Sequence, residues 1–270
     1  MDLQIFNELP PWEWPANAAD RFLAVLSDAK ADPKQRLIAA DHAGDSVVVN
    51  DGLARLLLGI VANPAEGEEI RGKAAISLGP ALESAWIGVD DWEDSEVPIS
   101  QEMYRTIQPV LRQVYEDQST PKLVRRRVLE AAVRSPEEWQ NEAIRKAFAS
   151  GDRDWKLTAV FAMRHVRGFD KLILEALNSK DLETRFEAVV AAGASEIKAA
   201  WPPIRSMLKD RKTPKELLLG AIEAAGMIGA EDAERILNDF LESDDEEIAE
   251  AAEDALSMMG DGEEFEESEE

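Results

Sequence analysis

Few residues in this sequence have the type and spacing that catalysis or metal binding needs. There are two histidines, His42 and His165, more than a hundred positions apart, and there is no cysteine. No Gly-x-Ser-x-Gly elbow, phosphate-binding Gly-Lys-Ser/Thr loop or dinucleotide fingerprint occurs. We therefore expect both histidines to be packed or surface residues. We also expect a protein without enzymatic activity and without a cofactor.

One acidic cluster has the composition of a cation site. Five carboxylates fall within residues 90–96, inside a stretch (86–99) that interrupts the repeat described below. They lack the Asp-x-Asp-x-Asp-Gly order of a calcium loop. We expect a solvated surface loop here, and a contact with a partner and a metal site are the alternatives.

The sharpest functional signal is a segregation of charge. The chain carries a formal net charge of −25, yet residues 122–171 contain 12 Lys and Arg against 7 Asp and Glu. Arginine and tryptophan are favoured anchors of protein interfaces. We predict that a basic stripe of this segment contacts a partner, and that solvated helix faces are the alternative. The predicted contact residues are Arg126, Arg127, Trp155, Arg164 and Arg167.

A short recurring phrase predicts the elements that carry these residues. In its clearest copies an Arg precedes a small residue by three positions, and a Gly follows that small residue by five. The small residue, or its counterpart in weaker copies, is Ala39, Ala74, Val128, Ala159, Ala188, Ala221 or Ala252. The successive spacings are 35, 54, 31, 29, 33 and 31 residues. A supersecondary unit that repeats at this period indicates a solenoid.

Helical periodicity dominates between the copies. The stripe Leu172, Ile173, Ala176 and Leu177 places apolar residues at i, i+1, i+4 and i+5, which is typical of a wide apolar helix face. We predict an all-α fold, a right-handed α-solenoid of about seven helix pairs. The pairs are expected at about 16–44, 49–85, 100–134, 137–167, 169–195, 198–228 and 230–259.

The phrase Asp-x-x-x-Arg-x-x-Ala, found at Asp32…Arg36…Ala39 and again from Asp181, resembles that of the HEAT-repeat family. The resemblance covers roughly 16–259 and implies a HEAT-like superhelix with a concave binding face. We expect the Asp and the Arg four residues later to form a repeated structural staple on one helix face. A ligand-binding role for Arg36, Arg71 and Arg185 is the alternative.

Fold does not fix function, so the resemblance leaves alternatives open. One is an accessory protein similar to HEAT-like bilin-lyase subunits. Another is a nucleic-acid-processing protein similar to the HEAT-like DNA glycosylases. The net charge of −25 opposes binding to nucleic acid.

Both ends of the chain depart from the repeat. Residues 1–15 contain three prolines and two tryptophans, which predicts an extended arm that caps the first helix pair, with docking to a partner as the alternative. The repeat domain is expected to span 16–259, with an insertion at 86–99. Residues 231–270 hold 19 acids and one base. The end, 260–270, is expected to be a disordered acidic tail that aids solubility or competes for the basic stripe.

Composition sets the remaining expectations. No apolar run approaches the roughly 18 residues that span a bilayer, and the first residues lack a secretory layout. We therefore expect a cytoplasmic protein that does not contact membranes. Its expected function is that of a non-enzymatic HEAT-repeat scaffold that binds a protein or peptide on its concave face. The basic stripe favours a partner with acidic stretches.

Overall fold

The computed structural model describes residues 2–88 and 97–260, and every regular element in these ranges is helical. The α-helices are α1 (Ala18–Ser27), α2 (Pro33–His42), α3 (Asp51–Ala62), α4 (Glu68–Ser77), α5 (Gly79–Ile87), α6 (Gln101–Glu116), α7 (Lys122–Ala132), α8 (Glu138–Ala149), α9 (Arg153–Ala162), α10 (Asp170–Ala176), α11 (Leu182–Ala194), α12 (Trp201–Lys209), α13 (Lys215–Ile228), α14 (Ala233–Asn238) and α15 (Glu246–Gly260). Short 3-10 helices form at Gln4–Asn7, Pro11–Glu13 and Lys198–Ala200. The prediction of an all-α fold is confirmed.

The helices fall into two compact units, Met1–Ala143 and Ile144–Glu270. In the first unit α1 packs on α2, α3 on α4 and α6 on α7, and the second helices α2, α4 and α7 adjoin in series. In the second unit the second helices of the pairs are α9, α11, α13 and α15, which adjoin in series. The first helices α10, α12 and α14 each pack on the helix that follows. Serial packing of helix hairpins is the solenoid arrangement. The count of seven pairs, the right-handed sense and the predicted domain limits stay predictions.

Small residues bring consecutive second helices into backbone contact. A Cβ added to Gly226 of α13 would lie 2.6 Å from the carbonyl oxygen of Ala255 on α15. A Cβ added to Gly193 of α11 would lie 2.8 Å from Cα of Ala224 on α13. Because no side chain fits between these backbones, the helices of the second unit are held at one separation.

The arginine of the recurring phrase ties its helix to the end of the preceding one. Nε of Arg71 donates to the carbonyl oxygen of Val61 over 2.9 Å, and Nε of Arg125 donates to that of Tyr115 over 2.8 Å. Both carbonyls lie in the last turn of a helix, where no intrahelical donor is available. The guanidinium group therefore satisfies a backbone acceptor that the fold leaves without a partner.

The acid of the phrase has a different role from the one expected. Asp32 accepts hydrogen bonds from the backbone N–H groups of Lys34 and Gln35 and so caps α2. Arg36 forms a two-pronged ion pair with Glu66, with N–O distances of 2.7 and 2.9 Å, and this bonding holds the pKa of Glu66 below its usual range. The expected staple between Asp32 and Arg36 is therefore wrong, because each side chain is engaged elsewhere.

The N-terminal segment folds into two 3-10 turns rather than an extended arm. Proline is tolerated in the first turn of a helix, and Pro11 occupies the first position of its 3-10 helix. Trp14 is buried, and its ring centroid lies 5.7 Å from that of Phe22 on α1 and 5.2 Å from that of His42 on α2. Trp12, in contrast, is 78% exposed. One of the two tryptophans thus covers the first helix pair.

An additional helix accounts for part of the longest repeat spacing. Helix α5 begins at Gly79, two residues after α4 ends at Ser77, so the segment predicted as one helix pair (49–85) contains a third helix. Residues 89–96, which hold the predicted carboxylate loop, lie outside the described residues, as do residues 261–270 of the predicted tail. Gly260, assigned to the tail, is the last residue of α15.

We predict opposite effects for two glycine-to-alanine substitutions in helix interiors. Gly226→Ala forces the Cβ into Ala255 and should lower the free energy of unfolding of the second unit by about 1–3 kcal/mol. Gly59→Ala, whose Cβ would meet nothing within 4 Å, should raise that of the first unit by about 0.5–1 kcal/mol. Native-state hydrogen exchange of α13 and α3 measures both. Equal stabilisation by the two substitutions would contradict the backbone contact.

We also predict a pH dependence that originates at His42. Burial lowers the pKa of His42, and its Nε2 lies 2.7 Å from Oδ1 of Asn7 in the N-terminal segment. Below the unfolded pKa of about 6.5, the unfolded chain binds a proton that the folded chain resists, so the free energy of unfolding should fall as the pH decreases. Denaturant titrations between about pH 7.5 and 5.5 should show this fall weakened in His42→Gln. The control His165→Gln should titrate like the parent chain in the first unit.

Candidate functional site

Two of the predicted contact residues have an internal electrostatic partner. Arg126 and Arg127 are consecutive on α7, and Glu130 lies one turn further along. Nη1 of Arg127 is 2.6 Å from Oε2 of Glu130, and Nη2 of Arg126 is 3.8 Å from Oε1. Arg126 and Glu130 are buried and Arg127 is half-buried. Because an unpaired buried carboxylate is costly, these guanidinium groups stabilise the first unit.

The other three predicted contact residues belong to the second unit. Trp155 is half-buried in the first turn of α9, where its backbone N–H donates to the capping Asp152. Arg164 lies over the ring of Phe161 at 4.5 Å and approaches Glu187 at 3.7 Å. Arg167, in the turn that follows α9, is exposed. The structure thus divides the five residues between the two units, and their contact with a partner stays a prediction.

The side chains that catalysis or metal binding would use are dispersed. His42 packs among aromatic rings of the first unit, and Nε2 of His165 accepts a hydrogen bond from Nε of Arg164 over 3.2 Å. Within residues 2–88 and 97–260, no group of three or more His, Asp or Glu side chains is arranged to hold a metal ion.

Among the helices of those same ranges, none combines the length and the apolar character that crossing a bilayer requires.

A groove with a volume of about 480 Å³ runs over the second helices of the second unit. Its floor is apolar and consists of Phe186 on α11, Leu219 on α13, and Ala251 and Met258 on α15. Its rim carries carboxylates of α13 and α15, namely Glu216, Glu223, Glu247, Glu250 and Asp254. We call this feature the acidic groove.

Helical spacing places the lining residues of each helix on one face. On α13 the lining positions are 216, 219, 220 and 223, and on α15 they are 247, 250, 251, 254, 255 and 258. Residues three and four apart are neighbours on a helix surface. Gly220 keeps the floor open, since a Cβ there would lie 3.1 Å from the ring of Phe186. The groove thus forms where the small residues Gly220, Ala251 and Ala255 lie between longer side chains on the closely packed helices α13 and α15.

The charge of the rim is only partly compensated. Nζ of Lys215 lies 2.7 Å from Oε2 of Glu247 and also binds Asp245. The other four rim carboxylates are exposed and form no ion pair with a described residue. Glu250 and Asp254 lie four residues apart on α15, a like-charge spacing that costs a helix roughly 0.2–0.5 kcal/mol. The rim therefore has an unbalanced negative charge beside an apolar floor.

A second hollow extends the acidic groove towards α9. It is lined by Leu157, Leu182, Glu183, Phe186, Glu187, Pro214, Glu216 and Leu217. Phe186 and Glu216 line both hollows, so the surface is continuous across α9, α11, α13 and α15. Leu182 in the second hollow and Met258 in the first are 49% and 47% exposed. This face therefore offers water-exposed apolar side chains at both ends.

Sequence reasoning missed the acidic groove. The acidic tail is predicted to aid solubility or to compete for the basic stripe, and the carboxylates of α13 and α15 receive no predicted binding role. The available signal was the spacing on α13, where Glu216 and Glu223 flank Leu219 and Gly220 at i, i+3, i+4 and i+7. That spacing shows that these residues share a face, but only the packing of α13 beside α11 and α15 makes the face a groove.

Residues 169–257 match the family described as HEAT repeats. This range contains α10 to α14 and most of α15, and hence all residues of the acidic groove except Met258. HEAT repeats are therefore present in this region, and the resemblance predicted from the Asp-x-x-x-Arg-x-x-Ala phrase is confirmed. As a class, the chain is a helical repeat scaffold.

Several solved structures are similar to the chain at low sequence identity. The YibA protein of Escherichia coli is 20% identical, with 92% of this chain and 84% of that chain covered and a TM-score of 0.48. An engineered protein is 20% identical, with coverages of 76% and 97% and a TM-score of 0.47. Human deoxyhypusine hydroxylase, in complex with glycerol, is 17% identical, with coverages of 90% and 96% and a TM-score of 0.40. No curated protein matches the sequence.

We predict that charge reversal lowers stability at the buried, ion-paired Arg126 but not at the exposed Arg167. Arg126→Glu places a second acid beside the buried Glu130 and should destabilise the first unit by about 3–5 kcal/mol. Arg167→Glu, on an exposed turn, should change the stability of the second unit by less than about 0.5 kcal/mol. Thermal denaturation followed by circular dichroism measures both variants. An Arg126→Glu protein as stable as the parent would restore this residue as a surface contact.

Proposed function

We propose that this protein is a non-enzymatic HEAT-repeat scaffold that binds a segment of a partner protein in the acidic groove. The observation that carries the proposal is the apolar floor, which ends in a methionine side chain 47% exposed to water. Burial of apolar surface contributes roughly 25 cal/mol per Å², so covering this floor favours association. The extended faces of repeat proteins are the surfaces with which they bind partners.

The rigidity of the groove supports the same conclusion. The contacts of Gly193 with Ala224 and of Gly226 with Ala255 fix neighbouring helices against one another before any partner arrives. A site that is already ordered loses little conformational entropy on binding. Most of the conformational entropy lost on association then comes from the partner's segment, which becomes ordered in the groove.

The predicted arginine contacts have weaker support than the groove. Arg126, Arg127 and Arg164 each approach a carboxylate of the chain itself. Their positive charge is thus partly used within the protein, and the preference for an acidic partner loses its main argument. Arg167 keeps the exposure that a contact needs. A cytoplasmic location and the absence of enzymatic activity remain predictions.

The proposal predicts that a partner is crosslinked from the groove and requires its floor. A photoreactive residue at Met258 should capture a partner in the native cell, whereas one at Leu241, which is 41% exposed outside the groove, should not. The purified partner should bind the Leu219→Gln/Met258→Gln variant at least about tenfold more weakly, since both substitutions remove apolar contacts without changing charge. Isothermal titration calorimetry measures the affinities.

The matched control is Leu241→Gln, which should bind the partner within about twofold of the parent chain. Circular dichroism and hydrogen exchange should show all variants folded. Equal crosslinking from positions 258 and 241, or an unchanged affinity of the double variant, would disprove groove binding.

A further inference from the structure

The chemistry of the acidic groove specifies its occupant more closely than the proposed function does, and the inference rests on that function. No Lys or Arg is among the described residues that line the groove, whereas five carboxylates are. Lys215, which contacts Glu247 from outside the lining, is already shared with Asp245. The remaining carboxylates, Glu216, Glu223, Glu250 and Asp254, lack an ion-pair partner among the described residues.

The positions of these carboxylates suit a single polypeptide segment. Glu216 and Glu223 lie two turns apart on α13, or about 10 Å at 1.5 Å per residue. Glu250 and Asp254 lie one turn apart on the adjoining α15, and packed helix axes are about 8–10 Å apart. Acidic side chains thus stand on two neighbouring helices, with apolar residues between them along each helix. A segment about as wide as one helix can contact both helices at once.

Charge decides which segments fit. An acidic peptide, a phosphorylated group or nucleic acid would bring negative charge to a rim that has no base among its described lining residues. The chain's own end, 261–270, contains seven acids and no base, and therefore has the same sign as the rim. A segment with Lys or Arg alone would satisfy the rim but leave the apolar floor exposed.

We propose that the acidic groove binds a basic amphipathic segment of a partner protein. Its Lys or Arg side chains pair with Glu216, Glu223, Glu250 and Asp254, and its apolar side chains cover Phe186, Leu219, Ala251 and Met258. Such a segment places apolar residues at i, i+3, i+4 and i+7 if helical, the usual pattern for a helix that binds in a groove. This occupant has the opposite charge to the acidic partner that the basic segment 122–171 suggested.

The first experiment selects ligands without assuming their charge. A displayed library of random peptides of about 16 residues is selected on the full chain and counter-selected on Leu219→Gln/Met258→Gln, which lacks two of the four apolar side chains of the floor. The enriched peptides should be net positive and should carry apolar residues. Enrichment of neutral or acidic peptides would overturn the inference while leaving groove binding intact. If no peptide prefers the parent chain, the inference fails, and the separate crosslinking from Met258 decides the proposed function.

The second experiment tests the rim with a matched charge reversal. The best enriched peptide, labelled with fluorescein, is titrated against the groove variant Glu223→Lys/Glu250→Lys and against the control variant Glu242→Lys/Glu253→Lys. All four substituted residues are exposed, and the two variants change the net charge by the same amount. Fluorescence anisotropy should show at least a tenfold loss for the first variant and less than a twofold change for the second. Raising the salt concentration from about 0.05 to about 0.3 M should weaken binding to the parent chain. Equal losses in the two variants would show a general charge effect and contradict a site at the groove.

Discussion

The backbone contact between consecutive second helices is the constraint on which the second unit depends. Gly193 and Gly226 leave no room for a Cβ against the next helix. Larger residues at these positions would separate the helices and widen the surface above them. Since each repeat contacts only its neighbours, the separation is set locally, pair by pair. The same contacts therefore determine the core below the helices and the acidic groove above them.

The distribution of charge along the sequence indicates a binding surface only when the ion pairs within the protein are known. The segment 122–171 carries an excess of basic residues, yet the guanidinium groups of Arg126 and Arg127 meet Glu130 within one turn of α7. Basic residues of the second unit also pair with acids of the chain, since Arg153 binds Asp181 and Glu183 at 2.8 and 2.9 Å. An excess of charge in a segment is thus a poor measure of the charge that a partner meets.

The acids of the second unit illustrate the opposite case. Helices α13 and α15 hold carboxylates on faces that no base of the described chain neutralises, apart from Lys215 at Glu247. These residues weaken the unit slightly through mutual repulsion, and exposed ion pairs elsewhere offset little of it. Uncompensated charge beside an exposed apolar floor does not stabilise the fold, which supports the proposal that this surface binds a partner. This contrast is the physical basis for preferring the acidic groove over the arginines.

Much of the fold could be predicted from residue patterns, and some of it could not. Apolar residues at helical spacing and the recurring small residues indicated a solenoid, because both are local properties of the chain. The separate helix α5 was not predicted, since the apolar pattern continues beyond Gly79 and residues 49–85 were assigned to a single helix pair. The 3-10 turns before α1 were not predicted either. Trp14 is buried there against Phe22 of α1 and His42 of α2, and this burial requires that α1 and α2 are already packed together.

The sequence by itself determined that the chain is helical, that its units repeat, that HEAT repeats are present and that acids outnumber bases. These properties follow from composition and from periodicities of a few residues. Only the tertiary structure decided which charges pair internally and which face the solvent, because many of the partners lie about thirty residues apart along the chain, as Arg36 and Glu66 do. For the same reason the acidic groove exists only once α11, α13 and α15 lie side by side.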